Sequence, residues 1–140
     1  MIRSYTVALP DNFGGLPEEN SNYANARAVI FPVPLERTTT YMSGTRNGPA
    51  AIIAASRNME VYDEELGCEI YKKCGIATLR PVDTQEGTLE KVLAELHTAE
   101  LGLLNDGKFP VALGGEHSLT APLVAAAAKK FSGLTVLQID

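Results

Sequence analysis

The segment Gly114-Gly115-Glu116-His117-Ser118 sets an imidazole, a carboxylate and a hydroxyl directly behind a pair of glycines. A neutral imidazole is a common ligand for Mn, Zn and Fe. Two glycines let the backbone turn tightly and leave space beside it for a ligand. The apolar run Phe109-Pro110-Val111-Ala112-Leu113 precedes the pair and a helix start follows it, so His117 is expected where a strand ends. In an open α/β sheet, ligand-binding groups gather outside the carboxyl ends of the strands. Asp140 ends a second apolar run, Val136 to Ile139. A carboxylate there has no place in a core without a charge partner. His117 and Asp140 together make the beginning of a metal site, with no third ligand close in sequence. Glu116 is a candidate acid. Ser118 reads first as a helix cap, because the GxSxG spacing of a nucleophile elbow is missing. Gly114-Gly115 ahead of a helix could instead hold phosphate, but the P-loop and dinucleotide fingerprints are absent. His97 falls beside the apolar stripe of a helix and reads as a half-exposed helical residue.

These groups need strands and helices to position them. Residues 1–24 are rich in Asn, Gly, Pro and Glu without a period, and are expected to form an irregular arm. Ala28 to Val33 reads as a strand covered on both faces, ended by Pro32 and Pro34. Glu36 to Asn47 is a polar loop. Gly48-Pro49 opens a helix, with Pro49 in the first turn where its missing N–H costs nothing. The acidic stretch Glu60 to Glu65 is expected to be a solvated face or turn. Gly75 to Leu79 is a second strand. Asp83, Thr84 and Thr88 offer caps for a long helix whose Leu89, Val92, Leu93, Leu96, Ala99 and Leu103 form one apolar stripe. Gly107 suits the left-handed cap at its end. Phe109 to Leu113 is the third strand. A helix capped by Ser118 or Thr120 follows, with Pro122 in its first turn, and Leu134 to Ile139 is the fourth strand. Alternating strands and helices predict a mainly parallel sheet with helices on its faces.

The chain has 140 residues and 45% hydrophobic content, enough for one domain with a core. A net charge of −5 argues against nucleic acid as a partner. No apolar run approaches the roughly 20 residues that span a bilayer. The N-terminus has no signal-peptide pattern, which makes the cytoplasm the expected compartment. Cys68 and Cys74, separated by five residues, fit neither a redox CxxC nor a zinc ribbon and are expected to be reduced thiols.

The turn Gly114 to Ser118, the helix after it and Leu137-Gln138-Ile139-Asp140 together resemble the ureohydrolase superfamily of arginases, agmatinases, guanidinobutyrases and formiminoglutamases. Pro34, the Thr-rich loop and Gly44-Thr45-Arg46-Asn47-Gly48-Pro49 resemble that family's first strand–loop–helix. Val61-Tyr62-Asp63-Glu64-Glu65-Leu66 looks most like the agmatinase branch. The resemblance implies a three-layer α/β/α fold and two Mn ions near the carboxyl edge of the sheet. It makes His117 and Asp140 metal ligands, with the catalytic residues and other ligands expected beyond Asp140. It further implies hydrolysis of a small guanidine, agmatine above all, to putrescine and urea. Arginine, guanidinobutyrate and formiminoglutamate are the alternative substrates, and a non-catalytic α/β binding or assembly module is the alternative class. On this reading residues 1–140 are the N-terminal part of one domain, inactive alone. An unpaired apolar strand edge favours self-association, so a homo-oligomer is expected.

Overall fold

The computed structural model describes residues 6–8 and 11–139. Along the chain lie α1 (Glu18–Ser21), β1 (Ala28–Val33), α2 (Gly48–Ser56), β2 (Tyr62–Asp63) and β3 (Cys68–Glu69). They are followed by α3 (Ile70–Cys74), β4 (Ile76–Thr78), α4 (Leu89–Asn105), β5 (Phe109–Gly114) and α5 (Thr120–Lys130). Three strands make a parallel sheet in the order β4-β1-β5. The central place falls to β1 because its side chains are apolar on both faces, and Val29, Ile30, Phe31 and Val33 are all buried. Its register sets Ala28 beside Phe109 and Val33 beside Gly114, so the strand ends carry the loops of interest to one edge.

The chain crosses from β1 to β4 in one direction and from β4 past β1 to β5 in the other. Right-handed crossovers then place the connecting helices on opposite faces of the sheet. The contacts agree: α4 and α5 pack on each other, while α2 lies against β1 and β5. This is the expected three-layer α/β/α arrangement. The core joins Val29, Phe31 and Val33 to Ala77, Val92, Leu96, Leu103 and Leu119. The Thr88 hydroxyl caps α4 by accepting the Lys91 N–H at 3.3 Å, and Gly107 takes φ 72° just past its end.

Within the arm, two short helical turns form, at Phe13–Gly15 and in α1. The buried Asn12 closes its own loop, accepting from the Leu16 N–H at 2.9 Å and donating to the Leu16 carbonyl at 2.8 Å. The Phe13 N–H donates to the Thr78 hydroxyl at 2.9 Å, and the Gly14 N–H to the Ser56 hydroxyl at 2.8 Å. The arm is thereby fastened to β4 and to the end of α2.

Two local expectations, the fourth strand and the cap of α5, differ from what is observed. Leu134 to Ile139 joins no strand, and Leu137 and Ile139 are exposed. Its hydropathy records a preference for burial, but a strand also needs a neighbouring backbone, and no described strand pairs with it. The acidic stretch Glu60 to Glu65 is a solvated turn, as expected: Glu60, Glu64 and Glu65 are exposed, and the turn joins β2 to β3 in a two-residue antiparallel pairing with Gly67 at φ 60°. Neither Ser118 nor Thr120 caps α5: Thr120 is its first residue, and the Ser118 hydroxyl is used elsewhere. Cys68 and Cys74 are free, half-buried thiols. Among the described residues, no helix is long and apolar enough to cross a membrane.

Glu100 breaks the apolar pattern of α4. It is 8% exposed, and its Oε2 has no hydrogen-bond partner among the described residues. Burial pushes its carboxyl up from the ordinary value. A raised folded-state value means that the charge penalty is complete above it and vanishes below the unfolded value. Glu100→Met is therefore expected to stabilise the chain by about 1 kcal/mol at neutral pH. The gain shrinks as pH falls from the raised folded-state value to 4.5 and is absent below it, as urea denaturation at pH 7 and pH 4 will read.

Candidate functional site at the carboxyl edge of the sheet

At the end of β5 the chain turns through Gly115 and Glu116 into a short 3-10 turn, His117–Leu119, that leads into α5. The Gly115 N–H donates to the Val33 carbonyl at 3.2 Å, and the Glu116 N–H to the Leu35 carbonyl at 2.9 Å. The two strand ends are drawn so close that a Cβ on Gly115 would lie 1.9 Å from the Leu35 carbonyl oxygen. Gly48, at the start of α2, is similarly close: a Cβ there would meet the Gly114 carbonyl oxygen at 3.2 Å. Gly115 and Gly48 are thus required by backbone crowding at the sheet edge; the tight turn was expected, but the space beside Gly115 is filled by the Leu35 backbone.

His117 is exposed at this edge. Glu116, its neighbour, points the other way chemically: it is 7% exposed and all its capacity is spent on the loop after β1. The N–H groups of Arg37 and Thr38 both donate to Oε2 at 2.7 Å. The hydroxyls of Thr38 and Ser118 donate to Oε1 at 2.7 and 2.6 Å. Burial by itself pushes this carboxyl up. The Ser118 hydroxyl, the Thr38 N–H and hydroxyl, and the Arg37 N–H outweigh it and hold the group at about 2. The expectation of an acid at Glu116 is thereby corrected, since a carboxylate that accepts four short hydrogen bonds has no proton to give near neutral pH. Sequence reasoning missed this clamp because the partners are 78 and 79 residues away in the chain. The one local hint was the unassigned polar run Arg37-Thr38-Thr39-Thr40.

A second carboxylate fixes the far side of the same loop. Glu36 accepts the Gly44 N–H at 2.6 Å and pairs with Arg46 Nε at 3.0 Å. Between the two anchors Tyr41 and Met42 stand in solvent, and Met42 holds φ 52°, rare for a residue with a side chain. Arg37 Nη1 donates to the Gly87 carbonyl, and the Thr84 hydroxyl to the Pro34 carbonyl, both at 2.8 Å. The loops after β1, β4 and β5 are therefore tied together at one edge. Two of the larger described clefts lie elsewhere. One, of about 420 Å³, runs along the outer face of α4 beside Lys91, Glu95 and Thr98. The other, of about 270 Å³, lies between the arm and α2 at Asp11, Ile53 and Arg57. His97 is half-buried on α4, as expected, and takes no part.

A divalent metal needs several converging donors. Among the described residues, no three His, Cys, Asp or Glu side chains gather in one place. Asp140, the second expected ligand, lies outside the described residues. The described residues thus present one imidazole at a well-built edge and do not by themselves fit a metal ion.

The sequence model of the Arginase family matches residues 26–140. N(1)-aminopropylagmatine ureohydrolase of a Synechocystis species is 38% identical over 128 residues, covering 88% of this chain and 42% of its own length. The crystal structure of agmatine ureohydrolase of Thermoplasma volcanium superposes with a TM-score of 0.65 at 32% identity. That match covers 74% of this chain and 35% of the other. A Trypanosoma cruzi formiminoglutamase variant solved with Mn2+ shares the fold, with a TM-score of 0.69 at 24% identity over 79% of this chain and 38% of its own. The chain spans about two fifths, 42%, of the length of the first curated relative it matches. The strand–loop–helix after β1, the glycine turn after β5 and the parallel sheet that unites them all fall within the matched residues: the chain belongs to the arginase family.

Proposed function

We propose that the whole protein hydrolyses a guanidine C–N bond and releases urea, with agmatine as the substrate and putrescine as the other product. One observation carries this reading. The carboxyl edge of the sheet, where open α/β folds take their ligands, is built here with its histidine exposed and its neighbouring carboxylate fully occupied in holding the adjacent loop. Relatives named as ureohydrolases support the reaction class. In this reading His117 and Asp140 are metal ligands and the metal is Mn, supported by the Mn2+ of a structural relative. Such ions supply an activated water at neutral pH. The chain's own part is to hold His117 outside the end of β5 and to keep the loop after β1 in place. The proposal includes a cytoplasmic homo-oligomer.

A second substrate has a specific observation in its favour. The Synechocystis relative, at 38% identity, is named for N(1)-aminopropylagmatine, whereas the agmatine ureohydrolase structure is 32% identical. Urea release by the whole protein with Mn, measured on agmatine, N(1)-aminopropylagmatine and arginine in parallel, tests both. The expected result is turnover of one of the first two, with His117→Ala lowering it at least about tenfold. Equal turnover in the parent and His117→Ala would remove His117 from the metal site, and no urea from any guanidine would leave a non-catalytic module as the better description.

A further inference from the structure

We propose that Glu116 is a positioning residue, which locks the loop between β1 and α2 to the turn that carries His117 so that both walls of the site keep one relative placement. Its catalytic consequence rests on the hydrolase reading above; its structural content does not. Beyond Leu35 the ladder between β1 and β5 has ended, and among the described residues the N–H groups of Arg37 and Thr38 donate to no strand carbonyl. The Glu116 carboxylate takes that place. One oxygen gathers both N–H groups at 2.7 Å. The other gathers one hydroxyl from each side of the joint, Thr38 from the loop and Ser118 from the turn, at 2.7 and 2.6 Å. Charged acceptors make the stronger hydrogen bonds, and a buried acceptor of this kind is costly to lose. Glu36 holds the loop's other end through Gly44 and Arg46. The exposed Tyr41 and Met42 are therefore presented on a segment fixed at both ends rather than on a free loop.

Amide hydrogen exchange on the intact protein tests the lock, using Leu96→Ala as a control that loosens the core but leaves the joint intact. In Glu116→Ala, Arg37 and Thr38 are expected to exchange at least about tenfold faster relative to Phe31, while their ratio in Leu96→Ala stays that of the parent. Glu116→Gln keeps an oxygen for the two N–H groups, and the ratio is expected to rise only about threefold. That variant also decides the matter if the alanine variant does not fold. An unchanged ratio in both Glu116 variants, or the same rise in Leu96→Ala, overturns the proposal. In the urea assay, Glu116→Ala is expected to raise KM by about tenfold with a smaller change in kcat, and Glu116→Gln to recover most of it. A parent that releases no urea defeats the hydrolase reading alone, because the exchange ratio is read without turnover.

Discussion

Gly115→Ala is expected to cost about 3 kcal/mol or more of stability, against about 1 kcal/mol for Gly114→Ala one residue earlier. The two glycines look equivalent in the sequence and differ in what surrounds them. A Cβ on Gly115 would lie 1.9 Å from the Leu35 carbonyl oxygen and 2.8 Å from the Leu35 carbonyl carbon and nitrogen. All three are backbone atoms, so the ends of β1 and β5 would have to separate. Separation also breaks the Gly115 and Glu116 N–H bonds to Val33 and Leu35 and strains the Glu116 joint beyond them. A Cβ on Gly114 meets the Leu119 side chain instead, with Cδ2 at 2.7 Å. A leucine methyl can rotate away, and the main chain stays where it is. Domains of this size hold only about 5–15 kcal/mol in total, so the Gly115 loss takes a large share of it. Urea denaturation of the two variants beside the parent measures the difference. Midpoints that agree within error would mean that the strand ends are not in close approach.

Patterns that depend on one element were legible in the sequence. The buried run from Ala28, the stripe Val92, Leu96, Leu103 and the punctuation by Thr88 and Gly107 each report the immediate surroundings of the residue concerned. They indicated three strands, the main helices and the alternation that makes the sheet parallel. The tight turn at Gly114-Gly115 was legible in the glycine pair, and at Gly115 crowded backbone leaves no alternative to glycine. What the sequence concealed lies in partnerships across distance. Glu116 reads as an acid beside a histidine until Arg37 and Thr38 are brought beneath it. Leu134 to Ile139 reads as a strand because its residues favour burial, yet pairing depends on a neighbour that hydropathy does not encode. In each case the side chain's chemistry was plain and its partner was not.

The joint at Glu116 also makes a quantitative claim about acid. In the unfolded chain a glutamate titrates near its ordinary value of 4.5; in the folded state this one is held at about 2. A depressed folded-state value contributes stability that is complete above the unfolded value and disappears as pH falls through the folded one. The window is therefore pH 4.5 down to 2, with the unfolded chain binding the proton first. The full shift corresponds to roughly 3 kcal/mol, and the nearness of the rim to solvent reduces the expected contribution to about 2 kcal/mol. Glu100 acts in the opposite sense over acid pH, since protonation relieves its buried charge. The comparison must therefore be made in a Glu100→Met background, where that opposing term is gone. There the parent at position 116 should lose roughly 1.5 kcal/mol more than Glu116→Gln between pH 5 and pH 2.5, read from urea midpoints at each pH. The two curves should converge at the acid end, because a protonated glutamic acid and a glutamine offer the Arg37 and Thr38 N–H groups similar acceptors. Parallel curves would show that this carboxylate is not anchored by the loop, and the shared geometry of the loop after β1 and the turn at His117 would need another cause.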